Sequence, residues 1–341
     1  MKIAFVSADL SLINGQAIVS RGAYNALKHH QLIKFEYKAG LSSFMHVIWL
    51  SARYWRYVNN FEILYIVISR SKIGFLRDVI FLFIARLYKK RIIVHLHGND
   101  VENILSGLYG RLARTLLMDA EFLICSKAIG HTLDDHELTD WSYMPNFVSK
   151  ERFLDDQSES KEKIVILFLS NLIFSKGYFN LFLACKLLKH DFNFDIELRV
   201  LGSTPKNRIW KNRKVKNAID ELKKHDWVTL GNTKSIEDFR DAYRGVSIVA
   251  LPSFYKTEAA PLAIIEGMIN RKRILVSDRD IFHELCGQYS AVGFCSEFPA
   301  DIAAAILEVS KMQPSNLEVE RVRTLYSQRN FNENLNSYLE R

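Results

Sequence analysis

The chain has 341 residues, a formal net charge of +8, and 48% hydrophobic and 25% charged residues. That length suits two domains of roughly 150 to 180 residues, each with its own core, and the composition is ordinary for a soluble globular protein. Apolar runs such as Val79–Ala85 fall far short of the roughly 20 residues that cross a bilayer. Cys125, Cys185, Cys286 and Cys295 form no C-x-x-C pair, so reduced core thiols in a cytosolic setting are expected rather than disulfides or a zinc site.

Taken in chain order, Lys2–Ser7 reads as a first strand, since its apolar part is too short for a signal peptide. Gly15 follows it, ahead of a helix containing Arg21 to Leu27; a glycine there lets backbone approach a phosphate closely, or simply makes a turn. Further strands are expected at Ile63–Ile68, Arg91–His95 and Glu121–Cys125, with helices between them, an alternation that gives a parallel sheet with crossovers. Residues 1–150 hold 18 Lys and Arg against 12 Asp and Glu, a net of +6, so most of the net charge lies in this half. Its basic and aromatic stretches Phe44–Arg56 and Phe81–Arg91 could lie as helices on an anionic membrane face, or be core-facing helices with solvated basic ends. Nucleic acid is not an expected partner, because there is no zinc spacing, recognisable module or dense basic run. His95 and His97 flank Leu96 at a strand end, and no nearby ligand set clearly completes a zinc site with them.

Lys150–Lys163 is charged and poor in apolar residues, and reads as a linker at 151–163 between a first domain, 1–150, and a second, 164–322. A second alternation has strands at Ile164–Ser170, Ile196–Leu201, Val228–Leu230, Val246–Leu251 and Arg273–Val276. Asn171, Lys176 and Gly177 follow the first of these strands. Gly202 and Gly231 end the next two, as nucleotide-facing glycines or plain turns. Pro252–Met268 then carries Glu258 in a loop and Glu266 about two turns into an apolar helix, with Pro261 in the first turn. Free amides from Ala259 and Ala260 through Leu262 to Ile264 would face an anion there. The bland alternative makes Glu258 a solvated loop residue and Glu266 a helix-face charge. Asp278-Arg-Asp280 is expected to be a turn or helix cap rather than a metal site. Asn316–Arg341 lacks Gly and Pro and reads as helical over much of its length.

The spacing of Glu258 and Glu266 in this setting resembles the E-x7-E motif of the retaining glycosyltransferases of family 4 (glycosyl transferases group 1). His95-Leu-His97-Gly98, Pro145-Asn146 and Ser170–Gly177 add to the likeness, which covers nearly the whole chain. The resemblance implies an α/β GT-B fold: two Rossmann-like parallel-sheet domains facing a cleft, with a C-terminal helix at 323–341 crossing back to the first domain. It implies Glu258 on donor-sugar hydroxyls, Glu266 on the ribose, Lys176 on the diphosphate and His97 on sugar or acceptor. Gly15, Asn171, Gly202, Ala259, Ala260 and Leu262 would complete the donor pocket. Many members carry Arg where this chain has Asn171, two or more glycines where it has Gly15, and Ala where it has Gly267. The implied activity is a retaining, metal-independent hexosyltransferase without a cofactor, moving a sugar from a nucleoside-diphosphate sugar to a glycan or lipid-linked acceptor in surface polysaccharide synthesis. The expected place is cytoplasmic, peripheral on the inner face of the plasma membrane. The alternatives are a sugar-nucleotide isomerase or epimerase and a non-catalytic nucleotide-sugar-binding subunit.

Overall fold

The structure is a computed structural model that describes residues 1–11, 15–37, 43–69, 72–154, 163–204, 213–233 and 235–341. It divides into two compact units: residues 1–146, 256–260 and 328–341 form the first, and 147–255 with 261–327 the second.

In the first unit, strands β1 (Lys2–Ala8), β2 (Gln31–Tyr37), β3 (Ile63–Ile66), β4 (Arg91–Leu96), β5 (Glu121–Ile124) and β6 (Trp141–Tyr143) form a parallel sheet in the order β2-β1-β3-β4-β5-β6. The crossovers include α1 (Gly15–Ala26), α2 (Ser43–Tyr57), α3 (Lys72–Leu87), α4 (Glu102–Leu105), α5 (Gly107–Leu117) and α6 (Lys127–Asp134). Continuous apolar runs such as Ile63–Ile66 are buried along their whole length, as strands covered on both faces must be. The C-terminal helix Gln328–Leu339 packs on α1. Its carboxyl end is pinned by Arg91, whose guanidinium holds Glu121 through two bonds of 2.6 and 2.7 Å and donates to the carbonyls of Tyr338 (3.3 Å) and Leu339 (2.8 Å). A cation at the carbonyl end of a helix answers acceptors that the helix itself leaves open.

The second unit repeats the plan with β7 (Ile164–Leu169), β8 (Ile196–Leu201), β9 (Val228–Gly231), β10 (Ile248–Leu251), β11 (Arg273–Ser277) and β12 (Val292–Cys295), in the order β12-β11-β10-β7-β8-β9. Its helices include α7 (Tyr178–His190), α8 (Arg213–Leu222), α9 (Ile236–Tyr243), α10 (Leu262–Ile269), α11 (Asp280–Cys286), α12 (Pro299–Val309) and α13 (Asn316–Leu325). Reciprocal capping boxes, Ser235 with Asp238 and Ser315 with Glu318, start α9 and α13. The four cysteines are buried and unbridged. No helix among the described residues is long and apolar enough to cross a membrane.

Three strands absent from the sequence reading, β2, β6 and β12, all lie at sheet edges. Gln31, Lys34 and Glu36 interrupt β2, β6 is three half-exposed residues long, and β12 contains Gly293, so none shows the apolar run of an interior strand. The helix expected over 323–341 is two helices, α13 and the C-terminal one, parted at Tyr326 and Ser327, where Val148 N–H donates to the Tyr326 carbonyl at 2.8 Å. The start of the expected linker is packed rather than solvated. Lys150–Arg152 form a turn of 3-10 helix, Leu154 N–H donates to Asn270 Oδ1 (2.8 Å), and Asn270 Nδ2 donates to the Arg152 carbonyl (3.0 Å). Residues 155–162 of that linker lie outside the described residues.

Gly177 has φ +82°, and a Cβ there would meet the Pro252 carbonyl oxygen at 2.0 Å. Gly107 has φ +72° but open space around the same position. Gly107→Ala should therefore cost only the left-handed strain, about 1 kcal/mol. Gly177→Ala should cost at least about 2 kcal/mol, because backbone must also move. Urea unfolding of the two variants beside wild type measures the difference, and equal losses would contradict it.

Candidate functional site

In an open parallel sheet, neighbouring crossovers that run to opposite faces leave a crevice at the carboxyl ends of the strands where the order reverses. In the second unit that point lies between β7 and β10, and in the first between β1 and β3. Beyond β7 the chain passes Ser170 and Asn171, makes a 3-10 turn at Phe174–Lys176 and enters α7 through Gly177. Lys176 Nζ donates to Ser170 Oγ at 2.9 Å and lies 5.5 Å from the centre of the Tyr255 ring. Ser203 Oγ donates to Asn171 Oδ1 at 3.0 Å, joining the loops after β7 and β8. A Cβ at Gly202 would sit 1.8 Å from the Ser170 carbonyl oxygen, so packing of the chain on itself already demands glycine there.

On the β10 side, Pro252–Tyr255 is held in place from two directions. Arg279 Nη1 donates to the carbonyls of Ser253 (3.1 Å) and Tyr255 (3.0 Å), and Ser277 Oγ donates to that of Ser253 (2.6 Å). Phe254 N–H donates to the Ser175 carbonyl at 2.8 Å, tying this loop to the Lys176 turn. Asp278 lies 2.7 Å from His283 Nε2 and Asp280 opens α11, a turn and helix start. No group of three or more metal-ligating side chains occurs among the described residues.

Glu266 is the fifth residue of α10, little more than one turn in rather than two. Pro261, with φ −64° and ψ 121°, is the N-cap rather than part of the first turn. Its carbonyl accepts from Ile264 N–H (3.1 Å) and Ile265 N–H (3.4 Å), so the Ile264 amide expected to face a ligand is used within the helix. Glu266 is 2% exposed, which removes the reading of a solvated helix-face charge. Its Oε1 is ion-paired with Arg152 Nη1, and the Arg152 guanidinium lies 4.7 Å from the Phe239 ring. Burial pushes the Glu266 carboxyl up, and Arg152 opposes that shift. Gly267 lets α10 lie close on the sheet: a Cβ there would meet Ile274 Cδ1 at 2.7 Å and Val249 Cβ at 3.1 Å.

Lys256–Ala260 belong to the first unit, so Glu258, Ala259 and Ala260 fall in one unit, and Leu262, Glu266, Lys176, Asn171 and Gly202 in the other. Within the first unit, Asn99 N–H donates to the Thr257 carbonyl (3.4 Å) and Asn146 Nδ2 to that of Ala260 (2.8 Å). Glu258 is 7% exposed, so it too is no solvated loop residue. The His97 ring centre is 4.1 Å from that of His95, whose Nδ1 is 2.5 Å from the Tyr65 hydroxyl. Burial, with a smaller push from His97, holds His95 well below the usual histidine range, and so neutral. Gly15 opens α1, while residues 12–14 of its loop lie outside the described residues. Sequence reasoning passed over Tyr65, Arg152 and Arg279. A carboxylate inside an apolar helix signals that some cation must reach it, but not which of 46.

The sequence pattern of the glycosyl transferases group 1 matches residues 149–324, just over half of the chain. The chain belongs to this family. Its fold is GT-B, as in several solved structures. One is Anabaena Alr3699/HepE in complex with UDP and glucose (14% identity, 100% of this chain and 99% of that one, TM-score 0.73). Another is sucrose-phosphate synthase from Thermosynechococcus elongatus (13%, 99% and 98%, 0.75). A third is the lipopolysaccharide outer core galactosyltransferase WaaB in its apo form (15%, 99% and 99%, 0.66). No curated protein sequence matches the chain. The group 1 match falls on the segment that carries Arg152, Lys176 and Glu266.

Arg152→Ala should leave Glu266 buried without its cation and lower stability at neutral pH by about 2 to 3 kcal/mol. That is the low end for a buried pair, because the Arg152 side chain is 29% exposed. With the Glu266 pKa above its unfolded value of 4.5, the folded state takes up the proton first, so the loss should shrink as pH falls through the raised pKa. Urea titrations at neutral and mildly acidic pH check this. Adding Glu266→Gln to Arg152→Ala should recover much of the stability, and failure to recover would place the cost elsewhere.

Proposed function

We propose that this group 1 glycosyltransferase moves a hexosyl group from a nucleoside-diphosphate sugar to a hydroxyl of a glycan or lipid-linked acceptor, with retention at the anomeric carbon. What chiefly supports the reading is a fixed lysine at the strand-order reversal of the unit that carries the family match: Lys176, held by Ser170 at the carboxyl end of β7. In this reading Lys176 faces the donor diphosphate as a point charge and stabilises the negative charge that grows on the departing phosphate, in the role a metal ion would otherwise fill. Because that charge is greater in the transition state than in the bound donor, the lysine raises rate more than affinity.

Glu266 receives the ribose hydroxyls. Arg152 engages Oε1, and an ionised carboxylate accepts hydrogen bonds through both oxygens. Glu258 and His97 address the sugar and acceptor, and Gly15, Asn171, Gly202, Ala259, Ala260 and Leu262 line the donor. Retention follows from attack by the acceptor hydroxyl on the face the leaving group departs from, so no enzyme nucleophile is assigned. Domain closure would couple donor binding to catalysis. Anabaena HepE was solved with UDP-glucose and WaaB is a galactosyltransferase, which makes UDP-hexoses the first donors to try. A place in surface polysaccharide synthesis, on the cytoplasmic side, fits such an acceptor.

The test is titration calorimetry with UDP-, GDP-, ADP-, CMP- and dTDP-sugars, followed by nucleotide release. One nucleotide class should bind saturably, with Glu266→Gln and Lys176→Ala each weakening it about tenfold or more, the worth of a hydrogen bond to a charged group. Lys176→Ala should lower turnover further than it lowers affinity. Product from donor alone would indicate an isomerase or epimerase, binding without turnover a non-catalytic subunit, and no binding at all would sink the donor reading.

A further inference from the structure

Helices α2, α3 and α5 of the first unit pack side by side, α2 on α3 and α3 on α5. A helix with one buried face needs one apolar stripe, and α3 has two. Phe75, Phe81, Leu82 and Ala85 are buried, while Leu76, Ile80, Phe83 and Leu87 recur at intervals of four, three and four residues and are 47, 37, 56 and 65% exposed. That second stripe follows one line along the helix and points to solvent.

The neighbouring helices widen it. Trp55 on α2 is 61% exposed, and its Nε1 donates to the Tyr88 hydroxyl at 3.0 Å, which sets the indole beside the end of the α3 stripe. On the other side Arg86 reaches the Thr115 carbonyl and Asp119 (2.7 Å), bringing α5 and its 47% exposed Leu112 alongside.

Positive charge predominates on this face. Among the described side chains of α2, α3 and α5 the sole carboxylate is Asp78, which is fully buried and held by Arg77 at 2.7 and 2.9 Å. Asp119, just past α5, is paired with Arg86. Arg56 and Arg111 on the helices, and Lys89 just past α3, are exposed. An apolar and tryptophan-bearing surface with exposed Arg56, Lys89 and Arg111, whose one exposed carboxylate, Asp119, is already paired with Arg86, complements a layer of anionic headgroups over acyl chains.

We infer that the α2–α3–α5 face docks on an anionic phospholipid surface, Trp55 and the α3 stripe entering the interface while Arg56, Lys89 and Arg111 meet the headgroup charge. The inference stands apart from the donor reading, since it uses no residue assigned to the donor.

The experiment is co-sedimentation of the full chain with phosphatidylglycerol vesicles and, in parallel, phosphatidylcholine vesicles, across a salt series. Wild type should pellet with phosphatidylglycerol, less so as salt rises, and weakly with phosphatidylcholine. Leu76→Ser/Ile80→Ser/Phe83→Ser should lower the partition coefficient by on the order of tenfold or more, and so should Arg56→Ser/Lys89→Ser/Arg111→Ser, the second with a flatter salt dependence. All six positions are exposed, and circular dichroism checks that the variants fold as wild type does. Sedimentation velocity of the free chains runs beside this. The inference falls if wild type stays in the supernatant with phosphatidylglycerol, or if both triple variants bind as wild type does. It also falls if wild type is a dimer that the apolar variant converts to monomer, because a second copy then covers the face.

Discussion

Parallel pairing is the constraint from which the rest follows. Two parallel strands cannot be joined by a hairpin, so each must be re-entered from the same end, and every crossover leaves from the carboxyl edge of the sheet. All the loops free to vary without breaking the ladder therefore gather on one edge, and where strand order reverses two of them diverge and leave space. In the second unit those two loops are Ser170–Gly177 and Pro252–Tyr255, and they are fastened to one another by Phe254 N–H on the Ser175 carbonyl. The bond sets the position of the turn that carries Lys176, so a backbone contact between loops positions a charged side chain.

A second constraint is the cost of an ionised carboxylate inside an apolar helix. Glu266 lies among Ile264, Ile265, Met268 and Ile269, each 0% exposed, and could not stay ionised there without compensation. Arg152 provides it, and in doing so joins the segment just after Phe147 to α10. Asn270 secures the same segment by donating to the Arg152 carbonyl and accepting from Leu154. Replacing such a buried pair by well-packed apolar residues is often neutral or stabilising, so the pair is weak evidence of a purely structural role. On the proposed reading, that charge serves the ribose hydroxyls the carboxylate would bind.

What the sequence disclosed and what it hid separate along physical lines. Interior strands such as Ile164–Leu169 are continuous apolar runs because both faces are covered, and they were legible at once; β2, β6 and β12 lie at edges, where one side needs no apolar neighbour. The glycines were visible but their reasons were not. Gly202 and Gly177 answer the carbonyls of Ser170 and Pro252, which are distant in sequence from them or meet them only once the sheet has formed. Glu266 could be singled out by its setting on an apolar helix. Its partner could not, because Arg152 lies 114 positions away in a stretch whose composition resembles a linker. Local pattern reports burial well, whereas pairing across the chain leaves no trace in a single sequence.

Asn171 stands where many members of the family carry an arginine, and the geometry narrows how the missing charge is made up. The Asn171 side chain accepts from Ser203 and so still bridges the loops after β7 and β8, but it brings no cation. Among the described residues, two arginines of the second unit's site have other work: Arg279 Nη1 holds the carbonyls of Ser253 and Tyr255, and Arg152 pairs with Glu266. Moving either to a phosphate would release a loop or strand a buried carboxylate. On the proposed reading, neutralisation of a diphosphate by the described residues of this unit then falls to Lys176, with the amides at the start of α10 adding partial charge. A lysine is a compact point charge with three donors, so with Ser170 taking one it keeps others for a phosphate. On that reading the stabilisation is concentrated at Lys176, where charge would develop.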